Sequence, residues 1–404
     1  MSVTTKWPSV PLPKAFWFQE GPGVRKWQFT DSGVKLLNVA NIEKSGTLNL
    51  QKTDRHLTAS EVSQKYSHFL IDEGDLVIAS SGISFDDDGL LRTRGAFVER
   101  QHLPLCLNTS TIRFKPVDGV SDLRFLRRWI DSRNFRVQIS KLVTGSAQQN
   151  FGPSHLKATQ IPLPPLAEQK RIAAILDAAD ALRTKRRESL AQLDALLQST
   201  FLTLFGDPVT NPMGWEIPSL GSICDVRDGT HDSPKYVNEG RALLTSKNFK
   251  DGTIDYTGAN LISESDFIQI NKRSRVDKGD LVMPMIGTIG NPVLVEQEPD
   301  FAIKNVALIK FRETSPDNRF IRALLCSHYF DHITAQANRG GTQKFVALKD
   351  LRGMPIPLPP HPLQQKFAAI VESVERQKAA QRAHLAELDA LFAALQHRAF
   401  RGEL

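Results

Sequence analysis

The stretch IPLPPLAEQKRIAAIL (Ile161–Leu176) returns as IPLPPHPLQQKFAAIV (Ile356–Val371) in a chain of 404 residues. Continued to Phe205 and Phe400, the two copies align without a gap. About 17 of the 45 aligned pairs are identical, far more than unrelated segments share. A repeat of this length predicts that the chain is a tandem duplication.

The duplication extends upstream of both copies. GDLVIASSG (Gly74–Gly82) matches GDLVMPMIG (Gly279–Gly287), and FLRRWI (Phe125–Ile130) matches FIRALL (Phe320–Leu325). The first pair consists of β-rich runs with glycine at both ends, which predict strands, whereas the second pair has the apolar spacing of short helices. Each half is therefore predicted to be an α+β unit of roughly 150 residues, a common domain size.

The segments that follow the prolines are predicted to form two long helices. Proline is tolerated before the first turn of a helix but not in its interior, and Glu168 then lies where a carboxylate suits the helix dipole. Forty residues at 1.5 Å each make a rod of about 60 Å. Apolar residues step by threes and fours along both copies, so we expect the rods to pack as an antiparallel coiled coil in a pseudo-twofold arrangement.

The predicted order of segments follows from these boundaries. A first variable domain occupies 1–160, a long helix 161–205, a second variable domain 206–355 and a second long helix 356–404.

Bulk composition is that of a globular intracellular protein. Hydrophobic residues make up 41% and charged residues 24% of the chain. The three cysteines are far apart and form no CxxC pair, which indicates reduced thiols. We find no apolar signal segment and no run long enough to span a membrane, so a cytoplasmic location without membrane contact is expected. The net charge of +7 permits a polyanionic partner without requiring one.

Catalytic signatures are missing from the sequence. There is no GxxxxGK[ST] or HExxH motif. His328 and His332 have the spacing of a metal pair on a helix, but the matching positions of the first half hold no histidine. DDDG, beginning at Asp86, is typical of a solvated turn. NPMGW (Asn211–Trp215) departs from the NPP-aromatic motif of amino-methyltransferases, and no glycine-rich loop precedes it. The sequence therefore predicts neither a catalytic residue nor a bound metal.

Mixed basic loops are the candidate DNA contacts. Two loops in each half combine arginine and lysine with asparagine, threonine or histidine, which can neutralise phosphates and hydrogen-bond to base edges. A glycine-small-small-glutamine turn also recurs in both halves. An ordinary solvated loop explains any one of these residues equally well. The predicted DNA-binding residues are Lys44, Arg92, Arg94, Gln148, Arg227, His231, Lys235, Lys247, Lys272, Arg273, Arg275, Gln343 and Lys344.

The order of these parts resembles the specificity subunit of type I restriction–modification systems. Each half ends in G-S/T-x-Q, then IPLPP, a glutamine-containing helix start such as EQKRIAAIL and an LDALL or LDALF helix, and FGDPVTNPMGW joins the halves. The resemblance covers nearly the whole chain and is most specific at Ile161–Pro208 and Ile356–Leu404. It implies a non-catalytic subunit whose two target recognition domains each read one half of a split, asymmetric DNA sequence.

The same resemblance implies partners and cofactors. Double-stranded DNA, two methylation subunits and, where restriction is encoded, two restriction subunits would bind this chain. S-adenosylmethionine, ATP and Mg²⁺ would be held by the partner subunits, with no cofactor on this chain. The helix residues predicted to bind partners are Ile172, Leu176, Leu193, Leu197, Ile370, Leu388 and Leu391.

Three other functions were weighed. A stand-alone bipartite DNA-binding regulator without methyltransferase partners is the main alternative, because a duplicated frame would serve it as well. A second alternative is a nuclease or methyltransferase in its own right. The sequence lacks the nucleotide, metal and cofactor motifs that such an enzyme would need. A purely structural coiled-coil adaptor leaves two variable domains of roughly 150 residues without a role.

Overall fold

The chain divides into two compact units that share its two longest helices. The computed structural model describes residues 6–82, 84–86, 88–143, 150–250, 252–285, 289–337 and 346–404. Unit 1 comprises Met1–Arg186 and His384–Leu404, and unit 2 comprises Arg187–Ala383. Each long helix therefore contributes one half to each unit.

Unit 1 combines short strands with helices. Its strands are β1 (Ser9–Pro11), β2 (Phe16–Glu20), β3 (Val34–Leu36), β4 (His56–Leu57), β5 (Leu76–Ala79), β6 (Gly95–Phe97), β7 (Leu105–Cys106), β8 (Thr111–Pro116) and β9 (Gln160–Pro162). Its helices are α1 (Leu12–Ala15), α2 (Ala59–Glu61), α3 (Leu123–Ile130), α4 (Arg133–Leu142), α5 (Pro153–Lys157) and the first half of α6 (Leu166–Phe205). The sheets have the strand orders β2-β8-β5-β6, β4-β3-β7 and β1-β9.

Unit 2 repeats this composition. Its strands are β10 (Asp225–Asp228), β11 (Tyr236–Val237), β12 (Arg241–Leu244), β13 (Phe249–Lys250), β14 (Thr253–Ile254), β15 (Asn260–Ile262), β16 (Leu281–Pro284), β17 (Val293–Leu294), β18 (Phe301–Ile303) and β19 (Val306–Lys310). Its helices are α7 (Leu220–Ile223), α8 (Glu264–Ser274), α9 (Asn318–Leu325), α10 (His328–Ala337), α11 (Leu348–Gly353) and the first half of α12 (His361–Arg401). The larger sheets have the orders β10-β19-β16-β17 and β11-β15-β12-β18, and β13 pairs with β14.

Matching segments of the two halves form matching elements. The GDLV repeats become β5 and β16, each an inner strand of a four-stranded sheet and buried along its whole length. A continuous apolar run is typical of a strand that is covered on both faces. The FLRRWI and FIRALL repeats become α3 and α9, each with an aspartate N-cap. The α+β duplication is confirmed.

The two long helices begin directly after their proline turns and pack against each other. In unit 1, Arg183 of α6 binds Asp389 of α12 at 2.6 Å, and Arg186 lies 2.9 Å from His384. The position along α12 falls as the position along α6 rises, so the helices run antiparallel there. The predicted pair of long helices is confirmed. None of the described helices is long and apolar enough to cross a membrane.

The same ionic contact recurs in unit 2 with the two helices exchanging roles. Lys378 of α12 binds Asp194 of α6 at 2.7 Å and also Glu375 on its own helix at 2.7 Å. The duplication places Lys378 opposite Arg183 and Asp194 opposite Asp389 in the sequence repeat. Because both cations are largely buried while their partners stay more open to water, these pairs select the register of the helices rather than adding much stability.

A buried glutamine joins each long helix to its unit. Gln169 accepts a hydrogen bond from the backbone N–H of Asp122 at 3.0 Å and donates to the carbonyls of Val120 and Pro164. Gln364 likewise accepts from the N–H of Asp317 at 2.8 Å. Both aspartates cap the helix that follows the central sheet. The glutamine of the repeated motif therefore connects the start of a long helix to the start of α3 or α9.

The junction NPMGW (Asn211–Trp215) is a tight turn. Asn211 has a positive φ of 45°, and its side-chain oxygen accepts from the N–H of Trp215 at 3.0 Å. The indole of Trp215 donates to the carbonyl of Phe205 at 2.9 Å, which anchors the turn on the end of α6. In unit 1, Trp7 makes the same kind of contact with the carbonyl of Ala399 at 3.3 Å.

Candidate functional site

Two of the predicted DNA-binding residues bind one buried carboxylate in unit 2, and a third is hydrogen-bonded to one of them. Asp228 closes β10 and is almost fully buried. The guanidinium of Arg273, at the end of α8, binds one of its oxygens, and Nε2 of His231 lies 2.7 Å from the other. Burying an unpaired carboxylate is costly, so Asp228 holds both basic groups at the mouth of the loop that follows β10. We call Asp228, Arg227, His231 and Arg273 the Asp228 cluster.

Arg227 completes the cluster from the neighbouring strand position. Its guanidinium binds Asp225 at 2.7 Å and donates to the backbone carbonyl of Arg273 at 3.0 Å. Asp225 also pairs with Arg312 at 3.2 Å. The arginines raise the acidity of this carboxyl, so the pKa of Asp225 lies below its ordinary value. Two strand carboxylates therefore position three arginines and one histidine, and the side chains of Arg273, Arg312 and His231 stay mostly open to solvent.

The contacts of His231 favour its protonated form. Its Nδ1 lies 2.9 Å from the side-chain oxygen of Asn305, while Nε2 faces Asp228. Both ring nitrogens can donate to these acceptors only when the imidazole is protonated. The hydrogen bond with Asn305, followed by the bond with Asp228, raises the pKa of His231 above its ordinary value. A positive charge at this position therefore persists to higher pH than on a free histidine.

Replacing Asp228 with asparagine is expected to lower the pKa of His231 toward its ordinary value. The raised pKa means that the protonated ring stabilises the fold below the ordinary histidine pKa, and that this contribution is lost as pH rises through the folded-state pKa. A histidine NMR titration of the full chain measures the shift. An unchanged His231 titration would contradict the assignment.

Four other predicted residues of unit 2 lie outside these hydrogen bonds. Lys235 and Lys247 are exposed. Lys272 is also exposed and donates to the side chain of Gln269 at 2.9 Å, while Arg275 binds Asp277 at 3.1 Å. All four cations therefore lie at the surface, where they remain candidates for contacts with phosphates.

The described predicted residues of unit 1 lie in turns and loops. Lys44 is exposed in a turn and Arg92 is exposed on a loop. Arg94 is half-buried and donates to the carbonyl of Gly82 at 3.5 Å. The predicted contacts Gln148, Gln343 and Lys344 lie outside the described residues.

Two of the predicted partner-binding residues require correction. Ile172 and Leu176 are fully buried in the core of unit 1, where they pack in one cluster with Phe125 and Trp129. Their side chains face their own unit, so they offer no surface to a partner. Leu193, Leu197, Ile370 and Leu388 are half-buried, and Leu391 is exposed. These five stay candidates for docking.

The aspartates and the histidine that were considered as metal ligands from the sequence make contacts with other residues of the chain. Asp86 and Asp88 of the DDDG turn bind Arg136 and Arg133. His328 lies 3.2 Å from Asp207. Within the described part of the chain, no group of three or more His, Cys, Asp or Glu side chains is arranged to hold a metal ion.

Sequence reasoning missed the residues that position the basic groups. Asp225, Asp228 and Asn305 were not singled out, because the two aspartates of DVRD are three positions apart, lie on opposite faces of β10 and form no acidic stripe. The buried glutamines that connect the long helices to α3 and α9 were also missed. Their signal was present, since Gln169 and Gln364 are the one polar pair kept in the first turns of both long helices.

Two diverged α+β units, one of which holds basic side chains around a buried carboxylate, are features of a binding protein. A family model described as the type I restriction modification DNA specificity domain matches residues 26–193 and 212–390, one match in each half. The chain belongs to this family of type I restriction–modification specificity subunits. The resemblance drawn from the sequence is confirmed.

Relatives and solved structures agree with this family. The chain is 26% identical over 284 residues to the specificity subunit of the type I restriction enzyme EcoBI of Escherichia coli, covering 62% of this chain and 59% of that subunit. It thus spans less than two thirds of that relative's length.

Two solved structures share the fold. One is the S subunit of a type I restriction–modification system from M. genitalium, with a TM-score of 0.59 at 16% identity, covering 99% of this chain and 97% of that chain. The other is a chain from a structure on complex assembly and conformational transition of the type I system, with a TM-score of 0.52 at 19% identity and 98% of each chain covered.

Proposed function

We propose that this chain is the non-catalytic subunit that reads DNA for a type I restriction–modification complex, each unit contacting one half of a bipartite and asymmetric target. The observation that carries the proposal is the presence of two diverged units of one DNA specificity family in a single chain. Because the loops differ between the units while the framework repeats, the two half-sites need not match.

Affinity in this proposal comes mainly from lysine and arginine bound to phosphates, and base preference from a few side chains in the grooves. The Asp228 cluster suits the second role, since its groups are held by hydrogen bonds before DNA arrives. Side chains that are already ordered lose little conformational entropy on binding. The more loosely held Lys235, Lys247 and Arg275 suit the first role.

The partners follow from the same proposal. Two methylation subunits would dock on the exposed parts of the long helices, and restriction subunits would join through them. S-adenosylmethionine, ATP and Mg²⁺ would be bound by those partners. Copurification of methylation subunits with the full chain would support this assembly. A chain that binds a split DNA target alone and recruits no methylation subunit would instead be a regulator.

Substitution of Arg273 with glutamine is expected to change the reading of one half-site only, whereas substitution of Arg275 with glutamine is expected to weaken binding to that half-site. A lost base contact reduces discrimination at that position by about 5- to 150-fold, which corresponds to about 1–3 kcal/mol, whereas a lost phosphate contact reduces the salt dependence of binding by about one ion. The measurement is the methylation motif written in cells by the full chain with its methylation subunits. A change in both half-sites would contradict two independent readers.

A further inference from the structure

Two exposed lysine–aromatic pairs occupy the same place in the two units. In unit 1, Lys26 and Trp27 follow β2 and precede β3, and β3 pairs in parallel with β7. In unit 2, Lys235 and Tyr236 follow β10 and precede β12, which pairs in parallel with β18. The strands before both loops pair antiparallel with the matching strands β8 and β19. The two loops are therefore equivalent in the duplicated fold.

Each loop starts at a glycine pressed against the neighbouring chain. A Cβ at Gly21 would lie 2.3 Å from the backbone nitrogen of Asn108, and one at Gly229 would lie 2.6 Å from the carbonyl oxygen of Ile303. Only glycine allows this approach. The origin of both loops is thus held in place although the loop sequences, GPGVRKW and GTHDSPKY, have diverged.

The aromatic rings of both pairs project into solvent. Trp27 is 80% exposed, more than any other large apolar side chain in the described part of the chain, and Tyr236 is 47% exposed. A single exposed ring is ordinary on a protein surface. Recurrence in the same loop of a duplicated fold, each time directly after a lysine, is not explained by packing, because neither ring is buried in its own unit.

Both rings are nevertheless held on ordered backbone. Gln28, next to Trp27, is buried and donates to Glu61 at 2.7 Å and to the hydroxyl of Tyr66 at 3.0 Å, while it accepts from the N–H of Arg25. Tyr236 belongs to β11 and pairs with Ile262 of β15. A ring presented on a fixed backbone loses little conformational freedom when it binds, which favours contact with a ligand.

The charges beside the rings select an anionic ligand. Lys26 and Lys235 are exposed, and neither ammonium has a hydrogen-bond or ion-pair partner among the described residues. The segment 21–30 also contains Arg25 and no acidic residue. In unit 2, His231 and the rest of the Asp228 cluster lie on or beside the same loop. A cation next to an aromatic ring fits the sugar–phosphate backbone and groove of duplex DNA, where lysine binds phosphate and apolar groups meet base edges.

We infer that Lys26–Trp27 and Lys235–Tyr236 are matching contacts with duplex DNA, one for each half-site. The lysine neutralises a phosphate, and the ring lies in the groove against base edges and sugars. The inference rests on the proposed function and adds Lys26, Trp27 and Tyr236 to its set of reading residues. It also makes the aromatic position a determinant of sequence preference in both units.

The test is the methylation motif written in cells by the full chain together with its methylation subunits. Trp27→Ala should relax base preference by about 5- to 100-fold in one half-site, and Tyr236→Ala should do so in the other. Trp27→Phe and Tyr236→Phe, which keep an aromatic ring, should retain most of the base preference. Lys26→Gln and Lys235→Gln should leave the motif unchanged but reduce the salt dependence of binding to a duplex carrying that motif by about one ion each.

Matched controls separate the ring contact from general damage. Trp17 and Tyr256 are also about half exposed but lie outside the two loops, so Trp17→Ala and Tyr256→Ala should leave both half-sites unchanged. Melting temperatures of all variants show whether the units remain folded. If the wild-type motif is not split, the proposed function fails. If it is split but Trp27→Ala and Tyr236→Ala leave it unchanged, or lower total methylation without altering it, the inference alone is overturned.

Discussion

Replacing Phe367 with alanine is expected to lower the free energy of unfolding of unit 2 by about 3–5 kcal/mol, the usual cost of deleting a fully buried phenyl ring. Phe367, at the start of α12, packs edge-on against Phe201 and Phe205 of α6 at 5.6 and 5.4 Å between ring centroids. Phe205 in turn meets Phe320 of α9 at 5.0 Å. Phe367 therefore belongs to an aromatic cluster that joins three helices, and its loss opens a cavity that the rigid helices cannot close.

Native-state hydrogen exchange followed by mass spectrometry locates the loss. Peptides from the second half of α6, from α9 and from the first half of α12 should lose protection by roughly two to four powers of ten, in proportion to the free energy. Leu202→Ala is the matched control, because Leu202 is adjacent to Phe201 but exposed, and its removal should cost less than about 1 kcal/mol. Equal effects of the two substitutions would contradict the packing described here.

Replacing Gln364 with leucine is expected to lower the free energy of unfolding of unit 2 by about 2–5 kcal/mol. The side chain of Gln364 is buried, accepts from the N–H of Asp317 and donates to the carbonyl of Pro359 at 2.7 Å. An apolar side chain leaves both backbone groups without a partner, and each costs about 1–3 kcal/mol when buried. Urea unfolding of the full chain, monitored on unit 2 peptides, measures the change.

The adjacent glutamine provides the control. Gln365 is exposed on the same helix, so Gln365→Leu should change stability by no more than about 0.5 kcal/mol. Gln169→Leu in unit 1 should resemble Gln364→Leu, because Gln169 is fully buried and makes three such hydrogen bonds. If Gln364→Leu were as mild as Gln365→Leu, the glutamine would not be the joint between α12 and α9.

The framework of the protein could be predicted from the sequence because it depends on local signals and repetition. The GDLV runs, the FLRRWI and FIRALL helices and the two long helices all formed where apolar periodicity and proline turns placed them. A duplication doubles such signals, since a pattern seen twice is unlikely to be accidental.

The partners of individual side chains could not be predicted in the same way. An apolar stripe shows that one face of a helix is covered, but it does not show which part of the structure covers it. Ile172 and Leu176 were therefore assigned to a partner, although their own unit covers them. Asp228 lies more than forty residues from Arg273 in the sequence, and only the folded chain brings β10 beside the end of α8. Ion pairs of this kind depend on tertiary geometry, which no local pattern encodes.

The division of the long helices between the units has a consequence for biosynthesis. Unit 2 is one continuous stretch, whereas the core of unit 1 includes Ala399 and Phe400 from the far end of the chain. A domain made from an unbroken segment can fold as it leaves the ribosome, but one that needs a distant segment must wait for it. The part translated first is therefore completed last, and its unfinished apolar surface is what chaperones would have to shield meanwhile.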